Sequence, residues 1–142
     1  MRRAPTIAAA LAAAVVSACG SSSGSNGANN ASTPSTAVKT YLTALANGDG
    51  ATACGALTPA LQEQELKLVR SQGIKASSCP NLVSQLRAHI TSAQRSLLLN
   101  ATISRVTVQG STAMVTVKGA AHATTLTKSG GKWLIAGGVT GG

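Results

Sequence analysis

Three acids, two histidines and three cysteines are the carboxylate, imidazole and thiol groups with which these 142 residues could do acid–base, nucleophilic or metal chemistry. The acids are Asp49, Glu63 and Glu65, so no carboxylate follows Leu66. A carboxylate pair for general acid and base work would have to come from that one short stretch. Asp49 directly follows Asn47-Gly48 and reads as a helix cap, accepting from the amides of the next turn, rather than as a base. Glu63 and Glu65 are expected on a solvated helical face. His89 lies three residues after Leu86 and four before Ala93, beside an apolar face. It is the candidate proton carrier, since an imidazole titrates near neutral pH; the alternative is a boundary histidine at the helix surface. His122 follows Gly119-Ala120-Ala121 and is expected to be exposed. No serine stands in a nucleophile-elbow pattern, no acid is placed to orient either histidine, and no glycine-rich phosphate loop is present. Cys54 and Cys79 are far apart with no histidine at ligand spacing, so neither a metal nor a cofactor is expected.

The positive charge is the stronger clue. Lys and Arg number 12 against 3 acids, a formal net charge of +9. All the basic residues except Arg2, Arg3 and Lys39 lie beyond Glu65, where nothing neutralises them. Such a surface attracts anions in a salt-sensitive way. Arg87, Arg95, Arg105 and Lys118 are the candidate anion-binding surface, against the plain alternative of ordinary solvated charge. One Trp, one Tyr and no Phe argue against base stacking, so nucleic acid is not an expected partner. Tyr41 and Trp133 are expected as core anchors. The length suits one domain, and a hydrophobic fraction of 44% suits a folded one.

The chain opens with Met1-Arg2-Arg3, followed by an uncharged Ala-, Leu- and Val-rich run over residues 7–18. That run is shorter than the roughly 20 residues a membrane-spanning helix needs, and suits a secretory signal. It ends in Val16-Ser17-Ala18-Cys19 and is followed by Gly20, which resembles the lipobox of bacterial lipoproteins. The resemblance implies a signal peptide over 1–18 and a diacylglyceryl group on Cys19, which becomes the mature N-terminus. It places the protein at the extracytoplasmic face of the cell membrane, held by acyl chains of the palmitate kind. Two such chains, at about 0.8 kcal/mol per buried CH₂, anchor stably where one is marginal. The alternative is an ordinary signal peptide and plain secretion. Residues 20–36 contain only Gly, Ser, Asn, Ala, Thr and Pro. They cannot bury enough surface to offset their ordering entropy, so 19–36 is expected as a flexible tether reaching about 20–25 Å. The anions near such a domain are phospholipid headgroups and cell-wall polymers.

With Cys19 assigned to lipid, Cys54 and Cys79 remain. Export makes a bridge between them plausible, with two buried thiols as the alternative. A closed loop of this length contributes about 3.5 kcal/mol in the chain-entropy model.

The elements follow from periodicity. Val38, Tyr41, Leu42 and Leu45 form one helical face, with Ser35 or Thr36 as cap and Asn47-Gly48 as stop. Asp49 opens a short second helix, and Thr58-Pro59 opens a third that stops at Gly73. Ser78-Cys79-Pro80 opens a fourth, whose face Leu82, Val83, Leu86, Ile90, Ala93 and Leu97 predicts one continuous helix. After Asn100 the period changes to β-branched alternation, giving strands over 101–108, 112–118, 122–128 and 132–135. Helices followed by a meander make an α+β domain over 37–136, with a Gly-rich tail at 137–142.

Tyr41-Leu42 with Asn47-Gly48-Asp49, the Gly110 hairpin between Val106–Val108 and Met114–Val117, and the closing Gly130-Gly131-Lys132-Trp133-Leu134-Ile135 resemble the nuclear transport factor two-like superfamily. That resemblance implies a cone, with helices packed on a curved antiparallel sheet. The chain is also similar to small exported lipoproteins of high-GC Gram-positive bacteria that carry two cysteines at comparable places. Enzymes of the superfamily, such as ketosteroid isomerase-like and polyketide cyclase-like members, use an Asp base or an Asp/His pair inside the cone. The strands here bring no acid. The leading expectation is therefore a non-catalytic domain binding a small apolar ligand or an envelope partner. The alternatives are an isomerase- or cyclase-like enzyme using His89, and an assembly lipoprotein acting through its basic face. The enzyme reading requires His89 to face a cavity. Oligomeric state is not read from the sequence.

Overall fold

A computed structural model describes residues 31–138. The expected signal segment, Cys19, the tether up to residue 30 and the tail from residue 139 lie outside the described residues. Within them, five helices precede four strands: α1 (Pro34–Asn47), α2 (Gly50–Gly55), α3 (Pro59–Ser71), α4 (Cys79–His89), α5 (Ser92–Leu99), β1 (Ile103–Gln109), β2 (Thr112–Val117), β3 (Thr124–Ser129) and β4 (Lys132–Gly137). The sheet is an open antiparallel meander in the order β1-β2-β3-β4. The fold is α+β, as the change of period implied. No described helix is long and apolar enough to cross a membrane.

Local chemistry sets most boundaries. Thr33 caps α1 by accepting from the Thr36 amide, two or three residues earlier than the expected Ser35 or Thr36. Pro34 takes the first helical position, where its missing N–H costs nothing. The fold begins earlier than residue 37: Ala31 is buried, and its carbonyl accepts from the Trp133 amide at 3.1 Å. Gly48 ends α1 in the left-handed region at φ 73°. Asp49 caps α2 through the Thr52 amide at 3.1 Å, as its spacing implied. Thr58 caps α3 and Ser78 caps α4 in the same way.

The expected continuous fourth helix is two helices. Ile90 leaves the helical region at ψ 120°, and Thr91 recaps the chain. The Thr91 hydroxyl accepts from the Gln94 amide while the Gln94 side chain accepts from the Thr91 amide, a complete capping box. The apolar stripe is not buried as one face: Leu86, before the break, is 43% exposed, and Leu97, after it, is 74% exposed.

The core lies between α1, α2, the start of α4 and one face of the sheet. Val38, Val115, Leu126 and Ile135 are its largest fully buried side chains. Cys54 and Cys79 are joined by a disulfide, both buried, with Cα atoms 6.0 Å apart. It staples α2 to the head of α4, where Gly50 is required: a Cβ there would meet the Pro80 backbone at 2.7 Å. The two edges of the sheet differ. Along β4, Ile135 donates to the Ala56 carbonyl and its own carbonyl accepts from Thr58, so the edge is closed. Along β1, Val106 and Val108 pair with Val115 and Ala113 and so share the core face, yet they are 41% and 51% exposed.

Candidate functional site

The stripe that packs α1 onto the sheet also builds a groove. Val38 is buried, but Tyr41 and Leu42 are only partly covered. Beyond them β2 ends at Val117, and the chain turns through Lys118-Gly119-Ala120-Ala121-His122 before β3. Gly119 adopts φ 85°, and the residues after it are too small to fill the space. The result is a cavity of about 390 Å³ lined by Val38, Tyr41, Leu42, Val117, Gly119, Ala120, Ala121, His122, Thr124 and Gly138. A second cavity, of about 590 Å³, is lined by Leu42, Ile90, Gln94, Leu97, Leu98, Ala101, Val117, Lys118, Gly119 and Ala120. The two share Leu42, Val117, Gly119 and Ala120, so they adjoin along a groove between α1, the end of β2 and α5. Volumes of this size suit a small organic molecule.

The polar groups in the groove are few. Tyr41 is pushed up to about 12 by burial, with the Glu65 carboxylate adding to the shift, so its phenol is neutral at physiological pH. Glu65 is itself raised by burial. That corrects the expectation of a solvated Glu65: it is half-buried and sits within electrostatic range of Tyr41. Tyr41, expected only as a core anchor, also borders the cavity, whereas Trp133 is buried with the Lys128 ammonium 5.9 Å from its ring centroid. Asp49 is lowered by its hydrogen bonds from Thr52, in keeping with a cap.

The histidines exchange roles. His89 is the exposed last residue of α4 and lines neither cavity, so the cavity-facing orientation that the His89 enzyme reading requires is not found. His122 is exposed as expected, but it lies at the rim of the narrower cavity. The signal for this was the Gly-Ala-Ala run before it, which leaves the neighbouring space open.

The four candidate cations are not one surface. Arg87 and Arg95 line a common notch between α4 and α5. Lys118 borders the wider cavity, and Arg105 is exposed on β1, paired with Thr116. Among the described residues no group of three or more His, Cys, Asp or Glu could hold a metal ion.

Residues 30–138 match the family described as "Putative lumazine-binding". The chain belongs to that family. The lumazine-binding family is of the nuclear transport factor two-like type, and its small-ligand character agrees with an α+β cone that opens into a groove. No curated protein and no solved structure matches the chain.

Proposed function

We propose that the protein is a lipid-anchored, extracytoplasmic binding domain that holds a small, largely apolar molecule in the α1–β2–α5 groove without turning it over. The observation that carries this reading is the pair of adjoining cavities that meet at Leu42, Val117, Gly119 and Ala120, whose lining contains no carboxylate. A ligand there would be gripped by aliphatic surface, at about 25 cal/mol per Å² of apolar area removed from water. Tyr41, His122 and Thr124 supply a few directional contacts at one end. A planar heterocycle such as a lumazine, named in the family description, has the right form: flat faces for Leu42 and Val117, and a polar edge for Tyr41 and His122. The lipobox-like Val16-Ser17-Ala18-Cys19 supports the anchor.

Native mass spectrometry of the protein extracted from its own membrane fraction tests both parts. The expected spectrum shows a chain beginning at Cys19 with its acyl mass, together with a bound small molecule. Ala120→Trp fills the groove from an exposed loop position and should lose at least nine-tenths of that bound species. Wild type and variant carrying the same ligand load would overturn the groove reading, and an unacylated mature chain would overturn the anchor.

A further inference from the structure

We propose that the notch between α4 and α5 is a binding site for a phosphate-type group, gripped by Arg87 and Arg95. The site meets the apolar groove at Ile90, which lines both, but takes a different set of α5 side chains. On α5 the groove takes Gln94, Leu97 and Leu98, while the notch takes Ser92, Arg95, Ser96 and Leu99. The break at Ile90-Thr91 creates it. A continuous helix would carry Arg95 two turns beyond Arg87 along one rod. The turn instead redirects α5 against α1, and both arginines line one concavity of about 340 Å³.

Each arginine is positioned by a different means. Arg95 donates from Nε to the Ala46 carbonyl at 3.1 Å and from Nη2 to the Asn47 Oδ1 at 2.8 Å. Those two bonds fix the guanidinium plane and leave three of its five N–H groups for another acceptor. Arg87 is placed by its aliphatic stem, which lies over Gly48 so closely that a Cβ there would come within 2.8 Å of the Arg87 Cγ. Its head forms no hydrogen bond to another described residue. Ser96 completes the set. The Asn100 Nδ2 donates to the Ser96 Oγ at 3.2 Å, so the serine hydroxyl keeps its own proton to offer into the notch.

The charge arithmetic asks for an anion. No carboxylate lines the notch. The C-terminal carbonyls of α1, which Arg95 meets, carry only about half a negative charge. Asp49, the acid nearest in sequence to Gly48, caps α2 through Thr52 and does not line the notch. Arg87 also lies in the last turn of α4, whose C-terminal carbonyls add a similar partial charge. Two full positive charges therefore face about one negative charge from two helix ends and no carboxylate in the notch lining. Guanidinium forks match the paired oxygens of a phosphate, and a phosphate monoester offers three terminal oxygens to the donors assembled here.

The test is titration of the full-length protein with glycerol phosphate and with dihexanoyl phosphatidic acid, followed by calorimetry at low and high salt. Saturable binding that weakens with added NaCl is expected for at least one of them. Arg87→Gln should weaken it at least tenfold and Arg87→Lys several-fold, because lysine keeps the charge and stem but not the fork. Arg105→Gln should leave it unchanged. A thermal midpoint for Arg87→Lys equal to that of wild type keeps the result a matter of binding. Tighter binding of phosphatidic acid assigns the notch to a lipid headgroup, and equal binding of the two assigns it to a free phosphate ester. Equal affinities for Arg87→Gln and Arg105→Gln, or no saturable binding of either probe, overturn the proposal.

Discussion

Helices α2 and α5 both pack on α1, yet they are held in opposite ways. In α2, Gly50, Ala53 and Cys54 are buried, Gly50 lies against Pro80, and the disulfide ties Cys54 to the head of α4. In α5 no residue is buried, and the defined polar links to α1 are the two hydrogen bonds from Arg95. One short helix is locked by covalent and steric constraint. The other rests on its neighbour. The locked helix closes the back of the core, and the resting helix forms a wall of both the groove and the arginine notch. The disulfide and the close packing are thus concentrated away from the groove and the notch, which are left the freer to open locally.

Breaking the staple should produce the largest effect. Cys54→Ala with Cys79→Ala is expected to cost about 3.5 kcal/mol of folding free energy by the chain-entropy model, read from the shift of a urea unfolding midpoint. An unchanged midpoint would mean that α2 is held by packing alone and is no more locked than α5. A smaller loss is expected at the other helix. Arg95→Ala removes two hydrogen bonds from a charged donor and should cost about 1–3 kcal/mol locally. Hydrogen exchange would then speed up at the amides of α5 while those of α2 stay protected. Equal acceleration in both helices would erase the distinction. The smallest effect belongs to the α2 cap. Asp49→Ala should cost about 1 kcal/mol near neutral pH. Because hydrogen bonding lowers the Asp49 pKa in the folded state, the contribution of its charge is present above the unfolded-state value of about 3.9 and is lost as pH falls through the folded one. The gap between wild type and variant should therefore narrow in acid. A gap that stays constant with pH would assign the cap to shape rather than charge.

The fold was largely legible from short-range chemistry. Thr58-Pro59, Ser78-Cys79-Pro80 and Asn47-Gly48-Asp49 mark helix ends because caps act over three or four residues, and all three are in place. The hairpin glycines Gly110 and Gly130 stand at positive φ between strands that the alternation had already separated. The break after Ile90 was also written in the chain, as Thr91 three residues before Gln94. A hydrophobic stripe that runs through it on a helical wheel hides that signal. The candidate site was much less legible. Arg87 and Arg95 were grouped with Arg105 and Lys118 by charge alone, and only the turn between α4 and α5 separates the pair from the others.

The sequence by itself determined the order of helices and strands, the absence of acids beyond Glu65, and which cysteines were free to pair once Cys19 was set aside. Those properties depend on composition and on contacts a few residues long. Tertiary structure alone decided that His122 rather than His89 borders the groove, that Glu65 is held half-buried within range of Tyr41, and that two arginines share one notch. Each of these depends on the direction in which an element leaves a turn. A single residue such as Ile90, at ψ 120° instead of a helical value, redirects every side chain that follows it.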